Sequence, residues 1–256
     1  MTRRSTRGLR TIVTGATSGI GRALAVELVR GGACVVALAR REERLREMES
    51  ELAAAADRFA WLAGDVTLPQ DRAAAIDLCV QRFGGLDALV NNAGIGALGK
   101  FAEADEARLR RVMEVNFFAP ALFTREVLPH LHRGRTPIVV QVGSVLGHRA
   151  VPGKSEYCAS KFALHGLSDA LRLELAREGI DVLLVSPSTT QSEFFEVAGE
   201  RSPAGMPAAT VARRIASAMR TGRREIILST GGNLLVWLDR LCPPLADWAI
   251  SRWPKP

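Results

Sequence analysis

Residues 14–21 read Thr-Gly-Ala-Thr-Ser-Gly-Ile-Gly, and this stretch decides the fold. It follows an apolar run at 9–14 and opens a segment, 20–30, whose apolar residues recur at helical spacing, so it predicts a strand, a turn and a helix. Glycines in such a turn let the backbone approach a dinucleotide pyrophosphate, and the N–H groups of the helix N-terminus face the anion. The spacing of Gly15, Gly19 and Gly21 differs from the more common G-x-G-x-x-G, so an ordinary glycine-rich turn is the alternative.

The same alternation of strand and helix continues along the chain. It predicts a parallel sheet with helices on both faces, which is the doubly wound α/β class. No polar linker interrupts residues 1–230, so they are predicted to form one domain, and 231–256 follow as an amphipathic extension. The seven predicted strands are 9–14, 33–39, 59–63, 88–91, 137–142, 181–185 and 225–228; the predicted helices are 20–30, 42–55, 70–83, 106–132 with an interruption near Pro120, 155–177 and one that ends at 221.

Composition excludes several classes of protein. The chain has 256 residues, of which 47% are hydrophobic and 24% charged, so it can bury one large core and is not disordered. Its net charge of +7 would favour nucleic acid as a partner. Only four of the 34 basic residues are lysines, the arginines are spread along the whole chain, and aromatic residues make up 5%. Without aromatic side chains among the basic ones, a nucleic-acid surface is not expected.

The spacing of the cysteines does not indicate a disulfide framework, and that of the histidines does not indicate a metal centre. The four cysteines form no C-x-x-C pair, which favours a reducing cytoplasm. The basic start of the chain lacks the apolar core of a signal peptide, so secretion is not expected. No metal site is predicted, because the four histidines show no ligand spacing with cysteines or carboxylates; they are His130, His132, His148 and His165.

A second motif, Tyr157-Cys-Ala-Ser-Lys161, carries chemistry. It lies near the start of a predicted helix, where residues four apart project from one face. A nearby ammonium stabilises a phenolate and lowers the pKa of the phenol, so Tyr157 would become a usable acid or base. The alternative is that this spacing arises by chance on a helix.

With Asn91-Asn-Ala-Gly94 after the fourth strand and Ser144 after the fifth, the sequence resembles the short-chain dehydrogenase/reductase family over about residues 9–230. The resemblance implies a single Rossmann domain with a seven-stranded parallel sheet. It also implies a catalytic tetrad of Asn116, Ser144, Tyr157 and Lys161. Ser144 would hydrogen-bond the substrate carbonyl, Tyr157 would transfer the proton, Lys161 would bind the nicotinamide ribose and lower the tyrosine pKa, and Asn116 would hold a water that links Lys161 to solvent.

The resemblance further implies which residues contact a nicotinamide cofactor. After the sixth strand the chain departs from the family pattern, because Ser188 stands in place of a glycine and Ser192 in place of a threonine. A serine hydroxyl can make the same hydrogen bond as a threonine, so the contact to the carboxamide is still expected. The implied contacts, besides Tyr157 and Lys161, are Gly15, Thr17, Ser18, Gly19, Ile20, Gly21, Asp65, Val66, Asn92 and Ser192; Asp65 and Asn92 have the alternative of only fixing their loops.

The end of the second strand favours NADP(H) over NAD(H). Ala39 stands where members of the family that use NAD carry Asp, and Arg40 follows it. A 2′-phosphate would then meet a guanidinium and no carboxylate. The alternative is that Arg40 and Arg41 belong to the solvated start of a helix in an arginine-rich chain.

Two segments near the end of the chain carry apolar side chains, and those of the first segment favour a lipophilic substrate. The irregular stretch after the sixth strand is interpreted as a substrate lid, with ordinary core packing as the alternative; its apolar residues are Phe194, Phe195, Val197 and Met206. The extension is too interrupted by charge to span a bilayer. Docking on the domain or on a partner subunit is favoured over a membrane surface; its apolar residues are Leu234, Trp237, Leu238, Leu241, Leu245, Trp248 and Trp253.

Together these features predict an NADP(H)-dependent oxidoreductase, active as a homo-oligomer, that interconverts a carbonyl and an alcohol on a lipophilic small molecule. One alternative within the enzymes is reduction of a 3-oxoacyl thioester, against which the unusual C-terminal extension argues. The alternative from another class is a protein that binds NADP(H) without turnover, against which the intact tetrad argues. The expected location is the cytoplasm, with peripheral membrane contact through the extension as its alternative.

Overall fold

A central seven-stranded parallel sheet organises the chain, as predicted. The computed structural model describes residues 2–191, 193–194 and 205–252. The strands of the sheet are β1 (Arg10–Thr14), β2 (Cys34–Ala39), β3 (Phe59–Ala63), β4 (Ala88–Asn91), β5 (Ile138–Val142), β6 (Asp181–Ser186) and β9 (Glu225–Ile227); β7 (Thr190–Gln191) and β8 (Met206–Pro207) form a separate two-stranded parallel pair. The strand order in the sheet is β3-β2-β1-β4-β5-β6-β9, and all neighbouring strands run parallel.

Helices cover both faces of the sheet. Successive side chains of a strand point to opposite faces, so Ile12 and Val13 of β1 belong to different hydrophobic clusters. The helices are α1 (Gly19–Arg30), α2 (Glu42–Glu51), α3 (Pro69–Phe83), α4 (Glu106–Met113), α5 (Ala119–Leu131), α6 (Ser155–Ala176), α7 (Ala208–Thr221), α8 (Thr230–Leu241) and α9 (Pro243–Ser251). One cluster packs α1, α2 and α7 on the sheet, and the other packs α3, α5 and α6.

The strand order reverses beside β1, which pairs with β2 on one side and β4 on the other. At such a switch point the connections leave in opposite directions and open a crevice at the carboxyl ends of the strands. The glycine-rich turn after β1 lies at this crevice. The fold therefore places the predicted nucleotide-binding turn where ligands bind in sheets of this class.

The long helix predicted at 106–132 is interrupted, but earlier than Pro120. A π-helical turn, Glu114–Phe118, separates α4 from α5 and contains Asn116. Pro120 lies in the first turn of α5, where its missing N–H is tolerated. Single π-helical turns within helices occur frequently at functional sites, because they reorient a side chain. Here the turn brings Asn116 into the interior.

The C-terminal extension forms two helices, α8 and α9, and one side of them is packed on the domain. Val236 and Ile250 are buried. The guanidinium of Arg149 forms ion pairs with Asp239 of α8 and Asp247 of α9. The two helices also carry exposed apolar side chains, called the apolar face below: Leu234, Trp237, Leu241, Leu245 and Trp248. Among the described residues, no helix has the length and apolar character needed to span a membrane.

Candidate active site

A cleft of about 1490 Å³ opens at the carboxyl ends of the strands. It brings together most of the residues that the sequence singled out. Gly21 is buried behind the turn and Asn116 behind the cleft wall, and Ser192 lies outside the described residues. The predicted residues that line the cleft are Gly15, Thr17, Ser18, Gly19, Ile20, Arg40, Asp65, Val66, Asn92, Ser144, Tyr157 and Lys161.

The turn after β1 needs glycine at its three conspicuous positions. Gly15 and Gly19 have φ angles of +63° and +51°, a region that side chains rarely adopt. A Cβ on Gly21 would lie 2.3 Å from the carbonyl oxygen of Gly15 and 2.3 Å from the side-chain nitrogen Nδ2 of Asn92. The close approach of α1 to the turn therefore depends on the missing side chain.

The N-terminus of α1 opens into the cleft and fits a phosphate. Ser18 is the N-cap residue, yet among the described residues its side chain makes no capping hydrogen bond. Thr17, Ser18 and Gly19 line the cleft beside that helix end. The N–H groups of a first helical turn and the positive end of the helix dipole favour an anion. The cradle thus fits the pyrophosphate of a dinucleotide cofactor.

Asn92 and Asp65 hold the loops around this cradle. The side-chain amide of Asn92 donates to the carbonyl oxygens of Thr14 (2.9 Å) and Gly15 (3.3 Å). The carboxylate of Asp65 accepts from the N–H (2.9 Å) and the hydroxyl (2.8 Å) of Thr67. Both residues therefore fix their loops, the alternative left open from the sequence, while they also line the cleft.

Ser144, Tyr157 and Lys161 meet on the opposite wall. Ser144 precedes a short 3₁₀ turn, Val145–Gly147, and its hydroxyl accepts from the N–H of Leu146 at 3.1 Å. The same hydroxyl is hydrogen-bonded to Tyr157. Lys161 lies one turn further along α6, and its Nζ is 5.9 Å from the centre of the Tyr157 ring. This Nζ donates to the carbonyl oxygen of Val142 at 2.8 Å.

Burial is the main influence on the pKa values of Tyr157 and Lys161. It raises the pKa of Tyr157 to about 12, against a smaller lowering by the hydrogen bond with Ser144. It lowers the pKa of Lys161 to about 8. The pKa of Tyr157 is thus raised by burial, and the lowering of this pKa by Lys161 stays a prediction. With a pKa of about 12, the Tyr157 phenol is protonated at neutral pH.

Asn116 supports the group from behind the wall. Its side-chain oxygen accepts from the N–H of Ile95 at 2.8 Å, and its nitrogen donates to the carbonyl of Ile95 at 2.9 Å and to the hydroxyl of Ser160 at 3.0 Å. Ser160 immediately precedes Lys161 on α6. A Cβ on Gly94 would lie 3.2 Å from the Asn116 side-chain oxygen and 3.7 Å from the Lys161 Nζ. The loop after β4 therefore passes close to both side chains. The role of Asn116 in holding a water stays a prediction.

The sequence missed an ion-pair cluster at the other end of the cleft. Arg40 is exposed and lines the cleft, as expected. Arg41 donates to the hydroxyl of Thr17 at 3.3 Å and to the carboxylate of Glu193 at 2.7 Å. From the sequence alone, Arg41 is interpreted only as part of a solvated helix start. Glu193 also accepts from Arg44 at 2.6 Å. These arginines lower the pKa of Glu193. No sequence signal links α2 to the segment after β6.

The centre of the cleft is apolar. The ring of Phe194 lies edge-on to Tyr157, with 5.7 Å between the ring centres. Met206 packs against the core and begins β8, whereas Phe195 and Val197 of the predicted lid lie outside the described residues. Helix α8 contributes part of the lining through Leu234, Leu235 and Leu238. The extension therefore forms one edge of the cleft.

Comparisons with known proteins agree with this geometry. A family model described as short chain dehydrogenase matches residues 10–202. The 11-beta-hydroxysteroid dehydrogenase A of Arachis hypogaea is 34% identical over 258 residues, covering 93% of this chain and 73% of the relative. Dehydrogenase/reductase SDR family member 7B of Bos taurus is 32% identical over 252 residues, covering 91% and 78%. A short-chain dehydrogenase/reductase of Burkholderia phymatum, crystallised with NAD, superimposes with a TM-score of 0.88 at 24% identity over 94% of this chain and 96% of that one.

Proposed function

The chain belongs to the short-chain dehydrogenase family of oxidoreductases, and on this premise we propose that it is an NADP(H)-dependent enzyme that interconverts a carbonyl and an alcohol on a lipophilic small molecule. The observation that carries the proposal is the common wall formed by Ser144, Tyr157 and Lys161, in the same cleft as the glycine turn. Proton-transfer groups and a phosphate cradle in one cleft are what this chemistry needs.

NADP(H), when bound, supplies the hydride that is exchanged with the carbonyl carbon. The phosphate groups fit the turn of Gly15 and the N-terminus of α1, and Arg40 offers a guanidinium to the 2′-phosphate. Among the described residues, Glu193 is the one acidic residue whose carboxylate is bonded to Arg41 and Arg44, the arginines near Arg40. Arginine at this end of the cleft supports NADP(H) over NAD(H).

Tyr157 manages the proton. Because burial keeps its pKa at about 12, the phenol is protonated at neutral pH and can donate to the oxygen of a carbonyl group. Ser144 hydrogen-bonds Tyr157 and offers a second donor to the same oxygen. Lys161 lies one helical turn away and supports the phenolate that forms when the proton has left. In the oxidative direction the phenolate accepts the proton back.

The lining supports a lipophilic substrate. Phe194 lies against Tyr157, and leucines of α8 border the cleft, so a substrate carbonyl near Tyr157 would be surrounded by apolar side chains. Apolar pockets with a few convergent polar groups are typical of small-molecule sites. The similarity to the 11-beta-hydroxysteroid dehydrogenase A of Arachis hypogaea favours the same substrate class. Cytoplasmic location and a homo-oligomer complete the proposal.

Loss of NADPH absorbance with a panel of lipophilic ketones and aldehydes tests the function. We expect turnover with at least one of them, slower turnover with NADH, and none with the Tyr157→Phe variant. A 3-oxoacyl thioester in the panel distinguishes the alternative reductase. If NADPH binds but no carbonyl compound is reduced in a single turnover, the protein binds the cofactor without catalysis and the proposal fails.

A further inference from the structure

Two histidines and a glutamate that are far apart in sequence meet beside the active site. His148 follows the 3₁₀ turn that Ser144 caps, His165 lies on α6 one turn beyond Lys161, and Glu225 begins β9. We propose that His148, His165 and Glu225 bind a divalent transition-metal ion, with zinc as the ion that fits best. The sequence spacing predicted no metal site, and the proposal is independent of the proposed function.

The ligand atoms are close enough to share one ion. One nitrogen of each histidine and one carboxylate oxygen of Glu225 all lie within 4.8 Å of one another. The two imidazole rings meet edge to face, with 4.2 Å between their centres. Around a tetrahedral zinc ion with bonds of about 2.0–2.1 Å, neighbouring ligand atoms lie roughly 3–3.5 Å apart. Small rotations of side chains therefore suffice to bring all three ligands to one ion.

A backbone contact orients His165 as a ligand. Its Nδ1 lies 3.2 Å from the carbonyl oxygen of Gly147. A carbonyl oxygen only accepts, so Nδ1 carries the hydrogen and the Nε2 of the neutral ring keeps its lone pair. Histidines that bind metals typically donate their other ring N–H to a carbonyl or carboxylate in this way. In that tautomer, His165 can bind a metal through Nε2.

His148 and Glu225 contain polar atoms that lack hydrogen bonds. The side chain of His148 is only 3% exposed, and within the described part of the chain its Nδ1 has no hydrogen-bond partner. The Oε1 atom of Glu225 lies 2.9 Å from the His148 Nε2 but makes no hydrogen bond of ordinary geometry, and the same Nε2 lies 2.9 Å from the hydroxyl of Ser186. Buried polar groups are nearly always satisfied, so the unpartnered Nδ1 and Oε1 atoms call for an explanation. An ion would bind the Glu225 oxygen together with one nitrogen of His148, either Nδ1 or Nε2.

The surrounding charges permit a divalent cation. Asp169 lies 3.4 Å from the His165 Nε2, and its carboxylate also accepts from Arg172 at 2.6 Å. With neutral imidazoles, the two carboxylates outweigh the single guanidinium, and the cluster keeps a net negative charge. Two imidazole nitrogens and one carboxylate oxygen suit zinc, cobalt or nickel, whereas magnesium and calcium prefer oxygen ligands alone. Water would complete the coordination.

Such an ion would tie together three elements that flank the cleft. The loop after Ser144, helix α6 and the edge strand β9 each contribute one ligand. Binding to the folded chain alone stabilises it by mass action, so zinc should raise the midpoint of thermal unfolding. The ion would act as a brace and would not contact the substrate.

Zinc titration of the full chain, stripped of metal with a chelator and carrying no polyhistidine tag, tests the site. We expect one equivalent by calorimetry and a higher unfolding midpoint. The variants His165→Gln and Glu225→Gln each remove one ligand and should bind at least about 10-fold more weakly. The matched control is His132→Gln, because His132 also lies beside a glutamate, Glu178, at 2.6 Å, but on another surface. Its affinity should equal that of the unmodified chain.

Several outcomes would overturn the proposal: no stoichiometric zinc on the unmodified chain, equal losses in all three variants, or no loss in either ligand variant. Circular dichroism checks that the variants fold. Should they not fold, cobalt(II) on the unmodified chain decides. Visible bands of an ion bound by nitrogen and oxygen support the site. A spectrum of the free aqueous ion, or sulfur charge-transfer bands from the exposed Cys242, would contradict it.

Discussion

The carboxylate of Glu193 accepts a hydrogen bond of 2.7 Å from Arg41 at the end of the cleft where the 2′-phosphate of NADP(H) is proposed to bind. A second bond, 2.6 Å from Arg44, makes Glu193 a bridge between helix α2 and the segment after β6. The carboxylate therefore neutralises guanidinium groups that a phosphate would otherwise use. Arg40 stays the proposed main partner of the 2′-phosphate, and Glu193 is expected to compete with the phosphate for the neighbouring Arg41 and Arg44.

Replacing Glu193 by Gln should tighten NADPH and leave NADH unchanged. The ion pair between Glu193 and Arg41 is partly exposed, and exposed ion pairs contribute about 0.2–1 kcal/mol, so we expect a gain of up to about fivefold in NADPH affinity. Fluorescence titration with both cofactors measures it. Glu49→Gln, on the exposed side of α2, is the control for lost negative charge. An equal gain for NADH, or weaker NADPH binding, would contradict the competition.

NADPH should bind more tightly than NADH, and Arg40→Ala should remove most of the preference. A hydrogen bond to a charged group contributes roughly 1.5–3 kcal/mol, which corresponds to about 10- to 150-fold in affinity. Arg41→Ala serves as the comparison and should reduce the preference less than Arg40→Ala, because the bonds of Arg41 to Thr17 and Glu193 leave it only partly available to a phosphate. Equal dissociation constants for the two cofactors in the unmodified chain would refute the NADP(H) assignment.

Local sequence patterns predicted the framework, and contacts distant in sequence escaped prediction. The strands β3 and β4 have the predicted bounds, because continuous apolar runs between turns mark buried parallel strands. No sequence pattern near Arg41 predicts its contact with Glu193, and none near His148 predicts its contact with Glu225. These contacts depend on which strands become neighbours. The raised pKa of Tyr157 was not predicted either, because the Y-x-x-x-K spacing indicates that Lys161 is near but does not indicate that the tyrosine is buried.

Tyr157→Phe should abolish turnover while the cofactor still binds. The change removes only the hydroxyl that transfers the proton, and such groups contribute roughly 10²- to 10⁴-fold to the rate. Steady-state kinetics with a substrate found in the carbonyl panel gives the rate, and an NADPH titration gives the dissociation constant. Lys161→Ala should damage both. If the Tyr157 variant keeps more than about a tenth of the rate, another residue supplies the proton.

Stability should rise with pH because of Lys161. Its pKa is about 8 in the folded chain and ordinarily 10.5, so between these values the unfolded chain holds the proton that the folded chain has lost. Stability linked to this group therefore increases from pH 7 to 10, by up to about 3 kcal/mol. Urea unfolding of the unmodified chain and of Lys161→Met isolates this contribution, since other titrating groups cancel in the difference. Lys100→Met, at an exposed position, should follow the unmodified chain. A constant difference between the unmodified chain and Lys161→Met across this range would exclude the shift.

The apolar face of the C-terminal extension should be covered in the working protein. Leu241 is 78% exposed, and Trp237 and Trp248 are more than half exposed, which is a large apolar surface to leave in water. We expect that a partner subunit covers it. Removal of the residues after Gly232 should then break the homo-oligomer, or raise KM for a lipophilic substrate because α8 borders the cleft, with NADPH affinity nearly unchanged.

The double variant Trp237→Gln with Leu241→Gln separates a subunit contact from a membrane contact, because both side chains are more than half exposed and their replacement should disturb the packing of the domain little. Loss of the oligomer in gel filtration supports the subunit contact. A membrane contact predicts another pattern: Arg240 and Arg252, which lie 5.8 Å and 3.7 Å from the centres of the Trp237 and Trp248 rings, would face anionic headgroups. Full-length protein would then sediment with anionic vesicles in a salt-sensitive way. If truncation leaves assembly and kinetics unchanged but removes vesicle binding, the extension is a membrane anchor and the subunit contact is wrong.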